Sequence, residues 1–181
     1  MDKYKMIKVC SLFDYRVVDY WTAIMEAGLL EHRLFDTLEP KLKDIEEMLA
    51  SSDNICYNIY DYEKERICAD TMINNISGLT AQVHFSVHPE YFGKEAVEIA
   101  RFGAYEYFRK TNNRTGENLS TLFGITPVYN RKAIRFIKAV GYKEVCVFDK
   151  ICYIAKTNSH CDGLLTRLQK KEFTYGRKQE E

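Results

Sequence analysis

The sequence predicts an α+β (mixed α/β) chain of six to seven strands and about four helices. Three observations carry that reading. The hydrophobic period switches between two and about 3.6 residues along the chain, the signatures of strand and helix. Breakers are scarce and aromatics abundant: 181 residues hold 9 Gly and 3 Pro against 13 Tyr and 10 Phe, which favours regular elements joined by short loops. Apolar residues make up 46% and charged residues 29%, a balance that suits a globule with its own core.

The elements follow in order. Residues 6–10 (Met-Ile-Lys-Val-Cys) read as a first strand. From Tyr15 the pattern is helical, with Val18, Trp21, Ile24 or Met25, and Leu29 at three- and four-residue steps and Gly28 near the end. A second helix spans 41–50 behind Pro40, with Leu42, Ile45, Met48 and Leu49 on one face. Residues 51–54 form a turn cluster. Strands follow at 55–60 and 67–73, joined through 61–66. In 81–88, Ala81, Val83, Phe85 and Val87 alternate with Gln82, His84, Ser86 and His88, and Pro89 stops the strand.

Residues 93–110 give the longest helix, with Ala96, Ala100, Gly103, Ala104, Tyr107 and Phe108 as its stripe. A polar loop covers 111–118 and a strand 119–125. A helix over 130–140 places Ala133, Phe136, Ile137 and Val140 at core spacing, and Gly141 caps it. Residues 142–156 read as one or two strands, a hairpin turning near Asp149-Lys150. The domain is expected to occupy 1–163, and 164–181 to form an amphipathic, charged tail.

Charge and cysteine usage exclude several functions. Lys plus Arg and Asp plus Glu each number 26, so the net charge is zero. Nucleic-acid and anionic-membrane binders need a positive excess, so neither partner is expected. The longest apolar runs are too short to cross a bilayer. The lysines of residues 1–8 are not followed by an apolar segment, so no secretory signal is expected. The six cysteines contain no C-x-x-C pair, and reduced thiols in a cytoplasmic protein are expected, in the host cytoplasm if the gene is viral. Cys152, His160, Cys161 and Asp162 are ligand types without metal-site spacing, so no metal is expected.

Two stretches carry chemistry. In His84-Phe-Ser-Val-His-Pro-Glu-Tyr-Phe-Gly-Lys-Glu-Ala-Val97 a strand enters a glycine turn and then a helix, whose free N–H groups and positive dipole end suit a phosphate. In 130–142 the run N-x-x-A-x-x-F-x-x-x-V-G-Y reads locally as an Asn N-cap, an amphipathic helix and a glycine stop. That run resembles motif B of the GCN5-related N-acetyltransferases (GNAT), and the V-H-P-E-Y-F-G-K run resembles their motif A. The two stand in the family's order, separated by a helix and a strand. The resemblance is closest to the ribosomal-protein N-acetyltransferase branch and to GNAT-like proteins encoded by bacteriophages.

The resemblance implies a central, largely antiparallel twisted sheet, acetyl-CoA as the donor substrate, and a primary amine of a protein or small molecule as acceptor. It implies backbone contacts to the pantetheine at Phe85 and Val87. Amides at Gly93, Lys94, Glu95 and Ala96 would hold the pyrophosphate, and Asn130 and Phe136 would line the CoA side. Glu90 and Glu95 depart from the family's Q/R-x-x-G-x-G/A pattern, and the motif B tyrosine is replaced by Ile137. A catalytically degenerate fold used for binding or assembly is therefore a second reading.

Candidate catalytic groups are His84 as base, with an ordinary pKa suited to neutral pH, Glu90 through a water, and Tyr129 or Tyr142 as acid. Asp36, Glu39, Asp44, Glu46 and Glu47 could attract a cationic amine but also fit a solvated helix face. A homodimer is left open as an assembly.

Overall fold

A computed structural model describes residues 3–109 and 117–175. The chain runs β1 (Tyr4–Val9), α1 (Tyr15–Glu26), α2 (Leu30–Arg33), α3 (Leu42–Ala50), β2 (Ile55–Asp61), β3 (Arg66–Ser77), β4 (Thr80–Val87), α4 (Lys94–Arg109), β5 (Thr121–Pro127), α5 (Arg131–Val140), β6 (Lys143–Ile154) and β7 (Ser159–Gln169). The seven strands form one sheet in the order β1-β2-β3-β4-β5-β7-β6. Every pairing is antiparallel except β4 with β5. That parallel pair follows from the α4 crossover between its strands.

Helices cover both faces. On one, Tyr20, Trp21 and Ile24 of α1 and Ile45 and Leu49 of α3 pack with Cys56 and Met72 of the sheet. On the other, Ile99 and Phe102 of α4 pack against Ile59, and Tyr107 and Phe108 join Tyr57, Ile73 and Leu122. A Cβ at Gly103 would sit 3.2 Å from Ile59 Cδ1, so the missing side chain sets how closely α4 approaches the sheet. Helix ends are fixed locally. Asp14 accepts from the Arg16 amide at 3.0 Å, and Asn130 accepts from the Ala133 amide at 3.1 Å. Gly141 closes α5 at φ 117°.

Several sequence expectations need correction. Residues 164–169 belong to β7, which inserts between β5 and β6, so no tail begins at 164. Leu164, Thr166 and Leu168 alternate inward and are buried, a period of two that the amphipathic reading missed. The β6–β7 hairpin turns at Ala155–Thr157 and Asn158, not at Asp149-Lys150. Asp149-Lys150 instead lies in a register shift, with Lys150 at φ 49° and its amide donating to Asp162 Oδ1 at 3.0 Å. The segment after Gly28, which the sequence pattern leaves unassigned, makes the single helical turn α2. In α1 the inward residues are Val17, Tyr20, Trp21 and Ile24, while Met25 is exposed.

The polar loop expected at 111–118 falls outside the described residues up to 116, and so does the charged end from 176. No helix among the described residues is long and apolar enough to cross a membrane.

Candidate functional site

The parallel pairing of β4 and β5 lasts three residues, Thr80–Gln82 against Thr121–Phe123. Beyond it the ladder ends, and the two strands border a cavity of about 660 Å³. That volume falls within the range of small-molecule sites. Its walls are residues 83–87 of β4, 124–127 of β5, the small residues Ala96, Ala100, Gly103 and Ala104 of α4, one face of α5, and Leu29, His32, Arg33 and Phe35 around α2. The α5 stripe read as core (Ala133, Phe136, Ile137) is only part-buried because it faces this space; Val140 alone is buried.

Strand alternation divides the cavity between the two faces of the sheet. Phe85 points toward α4 and α5, where its ring stacks on Phe136 at 5.9 Å. His84 and Ser86 point the other way, toward α1 and α2. Tyr20 Oη donates to Ser86 O at 2.9 Å and accepts from the Asp70 amide at 3.0 Å, tying α1 to β3 and β4.

Next to that hydroxyl lies a buried ion pair. Arg33 Nε and Nη2 both donate to Asp70 Oδ2, at 3.3 and 3.1 Å, and the side chains are 6% and 0% exposed. Asp70 Oδ1 has no partner among the described residues. Burial pushes the Asp70 carboxyl above its ordinary range, and Arg33 offsets that only in part.

His84 has a defined tautomer. The Met48 carbonyl can only accept, so Asn54 Nδ2 donates to it, at 2.9 Å. Asn54 Oδ1 therefore accepts from Asn74 Nδ2 at 3.4 Å. Asn74 Oδ1 in turn accepts from His84 Nε2 at 3.3 Å. The proton sits on Nε2 and the lone pair on Nδ1. Burial first, and the Arg33 charge second, push the His84 pKa down to about 3. The neutral-range pKa assumed from sequence does not hold, and His84 is an uncharged hydrogen-bond acceptor at physiological pH.

Glu90 and Glu95, which depart from the motif A pattern, flank the turn into α4. Gly93 adopts φ 103°, a conformation that L side chains rarely take, just before the helix. Glu95 turns away from the cavity, accepting from Lys3 at 3.1 Å and Lys64 at 3.2 Å. Burial would raise its pKa, yet the two lysines hold it below the usual carboxylate range. Glu90 pairs with Arg66. Its amide donates to His88 Nδ1 at 3.3 Å, so His88 caps the turn.

Of the residues selected from sequence, His84, Phe85, Val87, Gly93, Ala96, Asn130, Phe136 and Tyr142 line the cavity. Glu90, Lys94, Glu95 and Tyr129 do not. Tyr129 is half exposed, and burial followed by Cys161 raises its pKa. Tyr142 is held protonated by burial, and its hydroxyl has no hydrogen bond among the described residues. Sequence reading missed Arg33, Asp70, Tyr20 and Asn74, together with Lys132 and Arg135, the two cations that α5 brings to the cavity. Among the described residues no group of three or more His, Cys, Asp or Glu could hold a metal ion.

This chain has the fold of solved GNAT acetyltransferases. Ribosomal-protein-S5-alanine acetyltransferase from Vibrio fischeri matches with a TM-score of 0.64 and 16% identity, over 97% of this chain and 97% of that one. Spermidine N-acetyltransferase from Vibrio cholerae, in complex with CoA and spermine, gives 0.69 and 12%, over 94% and 98%. A GNAT-family acetyltransferase from Bacillus anthracis gives 0.67 and 14%, over 94% and 97%. No protein-family model matches the sequence. No curated protein matches it either.

Proposed function

We propose that the protein is an acetyl-CoA-dependent N-acetyltransferase that acts on a primary amine by direct attack in a ternary complex. One observation carries the reading: the gap between β4 and β5 joins the two faces of the sheet through one cavity. A donor lying on the α4–α5 face can then meet an acceptor entering from the α1–α2 face. The solved relatives support the donor, since one was determined with CoA and others are named acetyltransferases.

In this reading the pantetheine runs along the free edge of β4 at Phe85 and Val87, against Phe136 and the small residues of α4. The pyrophosphate sits at the Gly93 turn, where the first-turn N–H groups of α4 lack intrahelical partners. Lys132 and Arg135 add positive charge to the same cavity. The amine nitrogen attacks the thioester carbonyl carbon, the C–S bond breaks, the CoA thiolate takes a proton from Tyr142, and the proton shed by the amine nitrogen passes to solvent, from which the Tyr142 oxygen is reprotonated. His84 Nδ1 accepts a hydrogen bond from the amine N–H and so aims its lone pair. Tyr142 is the proton donor to the thiolate.

The degenerate-fold reading drew on Glu90, Glu95 and the tyrosine replaced by Ile137; the two carboxylates are ion-paired outside the cavity, and Ile137 lines it. The test is release of CoA thiol from acetyl-CoA with a panel of primary amines, matched to acetylated product by mass. Tyr142→Phe should lower kcat about 100-fold with little change in the acetyl-CoA KM, the scale of a lost general acid. No thiol release above hydrolysis with any amine would overturn the reading.

A further inference from the structure

The acceptor half of the cavity has an unusual charge pattern. No Asp or Glu is among the described residues that line the cavity, whereas Arg33, His32, Lys132 and Arg135 are. Lys132 and Arg135 stand on α5, on the donor side. The acceptor side is left with Arg33 and His32, the neutral His84, Ser86, and apolar Leu29 and Phe35. The five acidic residues around α2 and α3 that could have drawn in a cation (Asp36, Glu39, Asp44, Glu46 and Glu47) are all absent from the lining. Asp44 accepts from the Lys41 amide, and Glu47 pairs with Lys43.

Arg33 is built as a fixed anchor. Its side chain is 6% exposed, and Asp70 engages Nε and Nη2 from one side. The Nη1 end makes no hydrogen bond among the described residues, although Arg33 lines the cavity. A guanidinium pinned in this way presents donors to an anion in a set direction. The nearby acceptor, His84 Nδ1, can hold a neutral amine beside it.

We propose that the acceptor is a small amino acid, an amine that carries a carboxylate on the same molecule, and that Arg33 binds that carboxylate. The free guanidinium end offers hydrogen-bond donors to one carboxylate, whereas a phosphate dianion would call for a second strong cation on this face. Leu29 and Phe35 leave an apolar surface for the side chain. The proposal rests on the acetyltransferase reading and narrows its substrate class.

The test compares free L-amino acids with their own amides, and with spermidine, in the thiol-release assay on the full-length wild-type protein. At least one amino acid should be acetylated with kcat/KM tenfold or more above its amide, and spermidine should stay at background. The double variant R33Q/D70N keeps the pair neutral and hydrogen-bonded. It should raise the KM for that amino acid tenfold or more, bring the amide preference close to unity, and leave the acetyl-CoA KM within about twofold. Amides or spermidine used as well as amino acids would overturn the proposal. So would a double variant that keeps the amide preference, or acetyl-CoA binding without acetylation of any amino acid. Absence of both acetyl-CoA binding and thiol release would instead overturn the underlying reading, and this proposal with it.

Discussion

The two sides of the cavity are built from opposite materials. The donor side is small and apolar: Ala96, Ala100, Gly103 and Ala104 on α4, with Phe85 stacked on Phe136. Its polar contacts to a ligand would come from the backbone at β4 and at the Gly93 turn, and from Lys132 and Arg135 of α5. The acceptor side is backed by a network of side chains of which Arg33 and His84 reach the cavity: Tyr20, Arg33, Asp70, Asn74, Asn54 and His84, each bonded to another member or to backbone. The first design fits an invariant donor that any sequence with the right shape can hold. The second fixes charge and tautomer, properties that discriminate between acceptors.

The contrast can be broken experimentally, and the ion pair should give the largest effect. Replacing Arg33 alone with Ala leaves Asp70 as an unpaired buried carboxylate, and about 3–5 kcal/mol should be lost in urea unfolding. Restoring neutrality with R33Q/D70N should recover most of it. A single variant as stable as wild type would show that the pair is not buried in solution.

Acid should come next. Between pH 6.5 and about 3 the unfolded chain binds a proton at His84 that the folded protein refuses. Its contribution to stability is therefore complete above pH 6.5 and falls as pH drops through that window, by about 1.4 kcal/mol per pH unit. Two units down, about 2–3 kcal/mol should be missing, and His84→Gln should remove that slope from the pH series of melts.

On the donor side, Gly93→Val forces a β-branched residue to φ 103°, which should cost about 1–3 kcal/mol and weaken acetyl-CoA binding tenfold or more. The smallest effect belongs to Glu95→Gln. Its carboxylate faces Lys3 and Lys64 and not the ligand, so the acetyl-CoA Kd should change by less than about twofold. A large rise in affinity would mean that Glu95 does reach the pyrophosphate.

The same contrast explains what the sequence revealed. Phe85, Val87, Gly93, Ala96, Asn130 and Phe136 sit in the two short stretches that resemble GNAT motifs A and B, and that resemblance implied their grouping. Asn130 is a helix cap and a cavity residue at once, which made its signal strong. Arg33 and Asp70 are 37 positions apart, and Tyr20 and Asp70 are 50. Only the folded sheet brings them together, and an arginine in a one-turn helix carries no pattern. The His84 pKa failed for the same reason, since its environment is made by α2 and β3. Strand β7 was lost to a period ambiguity: Gly163-Leu-Leu-Thr-Arg-Leu-Gln169 fits an amphipathic helix until its neighbours β5 and β6 are known.

The most direct test of the central claim, that the gap between β4 and β5 holds acetyl-CoA, is calorimetric titration of acetyl-CoA into the wild-type protein and into Ala100→Trp. The bulky ring fills the cavity from the α4 wall. One-to-one binding by the wild type, lost in the variant while its melting stays cooperative, is the result expected. No heat at near-millimolar acetyl-CoA, or equal affinity in both proteins, would contradict it.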